Sequence, residues 1–280
     1  MIPASFDYDV AESVDHAIEL VGDGGGDVKL LAGGQSLIPA LKLRIARPTK
    51  LVDLGRLSDL EYVKDDGTHI AIGALTRHAA VSDDPLLEEH CGIVSHTARQ
   101  IGDPQVRSRG TLGGTLAHGD PASDMPAVML AVGAELVARG KGGERTIPAD
   151  DFFTGVFETA LEEGEVLTEV RVPKLSGSTG WAYLKAHRRA QDWATVGVAA
   201  LVHRDNGSVA RASIGLVNMG GTPLRAKAVE DALAGGSSPA DAAALVTEGA
   251  DPPSDHAGSS EYRAHLAQVI TRRALEQAMS

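Results

Sequence analysis

The chain has 280 residues, 43% of them apolar, with 38 acidic against 26 basic side chains and a net charge of −12. That length buries a good core and suits two or three modest domains, while the acidity excludes the basic surface that a nucleic-acid partner requires. The single cysteine, Cys91, excludes an internal disulfide and any iron–sulfur cluster held by this chain alone.

No apolar run is long enough for a membrane-spanning helix. The opening Met-Ile-Pro-Ala-Ser-Phe lacks the basic and apolar regions of a secretory signal, so the chain reads as cytoplasmic. Ser13 opens a helical pattern, with Val14, Ala17, Ile18 and Val21 on one side, that ends in the glycine-rich residues 22–26. Those glycines follow a helix, whereas a dinucleotide fingerprint follows a strand and opens a helix, so they read as a loop. Residues 28–32 read as a short buried strand delivering Ala32-Gly33-Gly34-Gln35-Ser36, with Ser36 capping a short helix through Leu37, Ile38 and Leu41. A strand over 50–54 completes a small α/β subdomain across residues 1–56.

Residues 61–64 and 69–72, joined by Asp65-Asp66-Gly67, form a hairpin pattern. One helix is expected over 85–101, with Leu86, Ile93 and Val94 inward, leading to Thr111-Leu112-Gly113-Gly114-Thr115 and then Ala117-His118-Gly119-Asp120. A helix opened by Asp124 is expected over 124–132, and strands over 134–139, 144–147 and 165–173. Residues 57–174 thus make a second, α+β subdomain, and a site is expected in the cleft between the two. Residues 173–180 read as a linker into a third unit, 178–280. It has a strand over 181–185, a hairpin turned at Asp205-Asn206-Gly207 between strands over 195–204 and 208–219, and helical patterns near 224–233, 239–247 and 261–279. Asn206-Gly207-Ser208 matches a glycosylation sequon, but it reads as the hairpin turn.

The two Gly-Gly runs carry the chemistry. One alone marks any tight turn. Two, each flanked by hydroxyls and the second followed by an aspartate-rich loop, suit two loops that grip one extended anion with backbone N–H groups. A helix end contributes only about 0.3–1 kcal/mol toward an anion, whereas a hydrogen bond to a charged group gives about 1.5–3 kcal/mol, so several N–H donors would dominate.

Residues 30–48, Leu-Leu-Ala-Gly-Gly-Gln-Ser-Leu-Ile-Pro-Ala-Leu-Lys-Leu-Arg-Ile-Ala-Arg-Pro, then Leu51-Val52-Asp53-Leu54 and the run Ile101 to Thr115, resemble the FAD-binding medium subunit of molybdenum hydroxylases. The subgroup most similar is that of aerobic carbon monoxide dehydrogenase, and the likeness extends to a flavoprotein C-terminal domain. Where that subgroup often has histidine, this chain has Gln35. The resemblance implies an α+β fold: a two-subdomain FAD-binding domain of the vanillyl-alcohol-oxidase-like (PCMH) kind, followed by a C-terminal α+β domain with a small antiparallel sheet and helices. It implies FAD as the cofactor, held by Ala32, Gly33, Gly34, Gln35, Ser36 and Leu37 from one run and by Ile101, Thr111, Gly113, Gly114 and Thr115 from the other.

By the same resemblance, Asp124 contacts the adenosine half, and Leu167 and Lys185 touch the flavin. Trp193 covers or gates the ring, unless it is a core or interface tryptophan. His118 and Asp120 line the loop near the pyrophosphate or flavin. Partners implied are a small [2Fe-2S] subunit and a large molybdopterin subunit, in an (αβγ)2 assembly that leaves room for peripheral membrane association through the complex. The chain itself would pass electrons onward and supply no catalytic residue to the primary substrate.

No His-Glu-x-x-His pair points to a metal, and neither a Gly-x-Ser-x-Gly elbow nor a phosphate-binding Gly-x-x-x-x-Gly-Lys loop occurs. Cys91 reads as a small buried apolar residue on a helix. Two alternatives are a stand-alone FAD-dependent oxidoreductase, for which no base is nominated, and a flavin-free scaffold, for which loss of the glycine runs would be the sign.

Overall fold

The computed structural model describes residues 2–22 and 27–280. The glycine loop expected over 22–26 lies, beyond Gly22, outside the described residues.

The N-terminal part is a three-stranded parallel sheet. Its strands are β1 (Asp7–Val10), β2 (Val28–Leu31) and β3 (Lys50–Asp53), in the order β1-β3-β2. The connection from β1 to β2 is helix α1 (Val14–Gly22), and that from β2 to β3 is α2 (Leu37–Lys42). Parallel strands require such crossovers. Ala17 and Ile18 of α1 are buried against Val28 and Val52 of the sheet.

A five-stranded antiparallel sheet follows. Its members are β4 (Val63–Asp65), β5 (His69–Gly73), β6 (Glu135–Gly140), β7 (Gly143–Pro148) and the later β10 (Val166–Pro173), in the order β4-β5-β10-β6-β7. Between β5 and β6 lie α3 (His78–Asp83), α4 (Pro85–His90), α5 (Gly92–Arg99), α6 (Pro104–Arg107), α7 (Leu112–His118) and α8 (Asp124–Val132). After β7 come α9 (Ala149–Phe152) and a small hairpin of β8 (Phe153–Gly155) with β9 (Glu158–Thr159).

The single helix expected over 85–101 is two. The chain breaks at Cys91, which leaves the helical region at φ −151°, and restarts at Gly92. Gly92 lies against Trp181: a Cβ there would stand 2.8 Å from the indole. Cys91 therefore sits at a helix junction, buried as expected.

The last part is a four-stranded antiparallel meander of β11 (Thr179–Ala186), β12 (Val196–Asp205), β13 (Ser208–Val217) and β14 (Leu224–Arg225). One face is covered by α10 (Lys227–Ala234), α11 (Pro239–Ala243) and α12 (Ser260–Ala278). The helical pattern expected from 224 starts later, because Leu224 and Arg225 pair with Leu216 and Gly215 of β13. The opposite face packs on α8, every residue of which is buried, between this sheet and the preceding part. The contact is backbone-close: a Cβ on Gly215 would overlap the Ala127 carbonyl. A helix apolar all round has to be enclosed in this way, and α8 makes one core of the second and third parts.

Candidate functional site

Strand β2 delivers residues 32–36 to the foot of α2. Gly34 adopts φ +75°, a left-handed conformation in which a side chain is strained. Ser36 makes no side-chain cap hydrogen bond, contrary to the sequence reading; its own backbone is already helical (φ −101°, ψ −47°), which turns the hydroxyl away from the capping position. The carbonyls of Gly34 and Ser36 accept from Ile38 and Ala40 and so start α2. The N–H groups of residues 33–36 take no hydrogen-bond partner among the described residues.

The second run is no turn but the first turn of a helix. Thr111 is the N-cap of α7, and its Oγ1 accepts from the Gly114 N–H at 3.1 Å. The Leu112 and Gly113 N–H groups donate to the carbonyls of Thr76 (3.0 Å) and Ala74 (2.8 Å), and Thr115 donates to the Thr111 carbonyl. Each backbone N–H of residues 112–115 thus has a partner within the protein. What these glycines supply is closeness: a Cβ on Gly113 would stand 2.5 Å from the Ala74 Cβ.

The two runs meet. A Cβ on Gly33 would overlap the Arg109 carbonyl and lie 2.8 Å from the Gly110 Cα, and one on Gly114 would reach Ala32 at 3.7 Å. Arg77, unremarked in the sequence, donates from Nη1 to that Arg109 carbonyl at 2.5 Å; burial and the neighbouring Arg109 lower its pKa. Beneath Gly110 lies His78, 3% exposed, its backbone N–H bonded to the Gly110 carbonyl and its Nδ1 without a partner among the described residues. Burial pushes its pKa down to about 4, so the ring is neutral at pH 7.

Where β11 meets the start of α8 stands a buried polar cluster. Lys185 Nζ donates to Asp124 Oδ2 at 2.9 Å and to the Gln100 carbonyl at 3.3 Å, and the Tyr183 hydroxyl donates to Asp124 Oδ1 at 2.5 Å. The Lys185 and Asp124 side chains are 1% and 7% exposed. Burial pushes the Asp124 carboxyl up, opposed by Lys185 and the Tyr183 hydrogen bond. Burial, then Asp124, raises Tyr183 well above its ordinary value. Both oxygens of Asp124 and the ammonium of Lys185 are therefore engaged with each other and with protein groups. Tyr183 was missed, although alternation along a strand places it on the same face as Lys185, two residues on.

Ile101 follows Gln100, half-buried, its carbonyl accepting from Arg107 Nη1 at 3.0 Å. Leu167 is 6% exposed, beside the bulge in β10. The next carbonyl, that of Thr168, accepts from the Ala74 N–H at 2.9 Å, so β10 backs the segment against which Gly113 packs. The His118 ring lies 5.0 Å from that of Phe157, and burial lowers its pKa against the pull of Asp120. Asp120 Oδ1 accepts from the Ala122 N–H at 2.9 Å and shapes the loop into α8.

Trp193 is 62% exposed, so it is no core residue. Its loop is pinned from two sides. Asn218, held at φ +61°, donates its side-chain amide to the Ala194 carbonyl and its N–H to the Pro121 carbonyl, each at 2.8 Å. The guanidinium of Arg263, fully buried on α12, donates to the Thr195 carbonyl. Asn218 thereby ties the 118–124 loop to the Trp193 loop, a role carried by no sequence signal beyond asparagine's tolerance of positive φ.

Residues 33–36 fit an extended anion. Their consecutive unpartnered N–H groups stand in a cradle that side chains at positions 33 and 34 would fill or strain, against the end of a second run. No group of three or more His, Cys, Asp or Glu side chains suited to a metal ion occurs among the described residues.

Residues 4–175 match the family described as the FAD binding domain in molybdopterin dehydrogenase, and residues 181–278 match the CO dehydrogenase flavoprotein C-terminal domain. The chain is 40% identical to the carbon monoxide dehydrogenase medium chain of Hydrogenophaga pseudoflava, covering 99% of this chain and 98% of that one. It is also 40% identical to the 6-hydroxypseudooxynicotine dehydrogenase complex subunit alpha of Paenarthrobacter nicotinovorans, over 100% of this chain and 96% of that one. The structure of reconstituted CO dehydrogenase from Oligotropha carboxidovorans superposes with a TM-score of 0.96 at 41% identity, covering 100% of this chain and 99% of that one. The chain belongs to the FAD-binding medium subunits of carbon monoxide dehydrogenase and related molybdenum hydroxylases. It is thus a flavoprotein subunit of a molybdopterin-dependent oxidoreductase. No helix among the described residues is long and apolar enough to cross a membrane.

Proposed function

We propose that this chain is the electron-transfer subunit of a carbon monoxide dehydrogenase-like complex in the cytoplasm, relaying electrons from the [2Fe-2S] clusters of a small partner to an external acceptor. A large molybdopterin subunit oxidises the substrate, and three kinds of chain assemble as (αβγ)2. The observation that carries this reading is the run of unpartnered N–H groups over residues 33–36, set against the end of the second glycine run. Cys91 is the sole cysteine in the sequence, so the clusters belong to a partner.

FAD, when bound, supplies a ring that takes up and releases electrons one or two at a time. Gly33, Gly34, Gln35 and Ser36 donate N–H groups to its pyrophosphate, each charge-assisted bond contributing about 1.5–3 kcal/mol. Ala32, Leu37, Thr111, Gly113, Gly114 and Thr115 set how closely the backbone approaches. His118 and Asp120 shape the neighbouring loop, and Ile101 and Leu167 offer apolar surface. Asp124 and Lys185 serve the cofactor by position: with Tyr183 they lock β11 to the start of α8. Trp193, exposed on a pinned loop, is available to lie against the ring.

The two relatives named above share 40% identity with this chain while their names give different substrates, so the substrate is read from the large partner. The test is purification of the native complex through a tag on this chain, with an absorbance spectrum and identification of co-purifying chains. Flavin and iron–sulfur absorbance with two partners is the expected result. A yellow chain that recruits neither partner would overturn the relay, and a colourless one would overturn the flavin site as well.

A further inference from the structure

A second cavity, of about 530 Å³, lies at the opposite end of α8 from Asp124 and opens to solvent along one side. Its walls are the C-terminal turn of α8, the 173–179 crossover and the face of the β12–β13–β14 sheet that extends past the end of α8. Four basic residues line it, Lys174, His203, Arg211 and Arg225, and no acidic residue does. In a chain where acidic side chains outnumber basic ones 38 to 26, that is the reverse of the general surface. The volume falls within the range of small-molecule sites.

The four differ in what they already hold. Lys174 Nζ pairs with Asp65 at 2.6 Å, and Arg225 pairs with Glu230 at 2.7 Å and Asp150 at 3.6 Å. The Arg211 side chain has no hydrogen bond or ion pair among the described residues. It stands directly across the strand pair from His203, the two being register partners on β13 and β12. The His203 Nδ1 is ringed by the hydroxyls of Ser176 and Ser178, each at 3.2 Å, and Thr179 at 3.1 Å, which fixes the ring and leaves Nε2 without a partner among the described residues. Two nitrogen-bearing side chains thus stand side by side on one face of the strand pair.

Two of the carbonyls at the C-terminal end of α8 are engaged. The Ser213 hydroxyl donates to that of Ala131 at 2.6 Å, and Gly133 and Arg225 donate to that of Leu130. Leu201, paired across the strands with Ser213, adds apolar wall beside the basic end. We propose that this cavity binds a small organic anion, a phosphate or carboxylate head held by Arg211 and His203 with its less polar body against Leu201. An arginine fork suits either head group. The site shares no residue with the flavin loops.

The test is equilibrium titration of the purified, flavin-loaded complex with AMP, citrate and inorganic phosphate by calorimetry, repeated with Arg211→Gln and His203→Gln. Saturable binding of AMP or citrate, one per copy of this chain, is expected, weakened about tenfold or more by Arg211→Gln with flavin content unchanged. Preference for AMP identifies a phosphate head, and preference for citrate a carboxylate. Absence of saturable binding up to about 10 mM of every probe overturns the proposal. So does binding that both variants leave intact.

Discussion

The two glycine runs share a pattern, Gly-Gly followed by a hydroxyl or amide side chain, yet the fold puts them to opposite uses. Over residues 33–36 the N–H groups are unpartnered among the described residues. Over residues 112–115 each is engaged: by Thr76, by Ala74, by the Thr111 hydroxyl and by the Thr111 carbonyl. The first run leaves its N–H groups unpartnered among the described residues, the second is tied into the fold, and the two approach each other where Gly33 meets Arg109 and Gly110. The same residues make a loop in one place and a helix in the other because Thr111 and the β5 hairpin's trailing carbonyls supply partners that residues 32–36 lack. Glycine content signals close approach, and the partners of the neighbouring N–H groups decide whether that approach is structural or meant for a ligand.

The sharpest way to break this comparison is to add one methyl group to each run. Gly113→Ala places a Cβ 2.5 Å from that of Ala74 and 2.7 Å from its carbonyl oxygen, in the buried core. Overpacking of that kind costs about 3 kcal/mol or more, so the melting temperature of the chain should fall with or without FAD. Gly33→Ala collides with the Arg109 backbone carbonyl, at the point where the two runs meet. Its expected signature is loss of flavin, read as the flavin-to-protein ratio, with a smaller change in melting temperature. If Gly113→Ala loses flavin at unchanged stability, the second run is a donor loop after all and the distinction fails.

A second effect acts on the second run alone. His78 supports Gly110 and has its pKa pushed down to about 4 from the ordinary 6.5. The unfolded chain therefore binds a proton that the folded one refuses. The stability this group contributes is complete above about pH 6.5 and is lost as pH falls toward 4, amounting to about 3 kcal/mol in all. Melting temperatures between pH 4 and 8 should show this decline, and His78→Phe should flatten it. Some slope will remain, because burial lowers His96 and His118 in the same direction. An unchanged slope would show that His78 is not the acid-sensitive support.

Much of the fold was legible where a single strong local signal ruled. The helix at Asp124–Val132 and the hairpin turned at Asp205-Asn206-Gly207 appear as the periodicity and the turn chemistry predict. Legibility failed where a remote contact outweighed local preference. The helix over 85–101 breaks because Gly92 must admit Trp181, and α7 forms from poor helix formers because Thr111 caps it and Ala74 and Thr76 receive its N–H groups. At the site, residue types were readable but their pairings were not. Asp124 and Lys185 engage each other, and Arg77, Tyr183 and Asn218 carry roles that depend on segments distant in sequence.

The hydroxyls that flank the runs give the gentlest pair of tests. Thr111 caps a helix, so Thr111→Val should cost about 1 kcal/mol of stability, largely restored by Thr111→Ser. Ser36 caps nothing and its hydroxyl bonds to no protein group among the described residues, so Ser36→Ala should change stability by less than about 0.5 kcal/mol. In flavin affinity the order reverses. A hydroxyl that donates to a charged phosphate contributes about 1.5–3 kcal/mol, so Ser36→Ala should weaken FAD binding by tenfold or more while the melting curve of the flavin-free chain stays in place. Thr111→Val should shift the melting curve and leave the flavin affinity of the folded fraction nearly intact. Calorimetric FAD titration beside thermal melts of the same two variants separates the outcomes. Parallel losses in both measurements for both variants would mean that the runs act as one unit, and the division between a donor loop and a supporting wall would have to be abandoned.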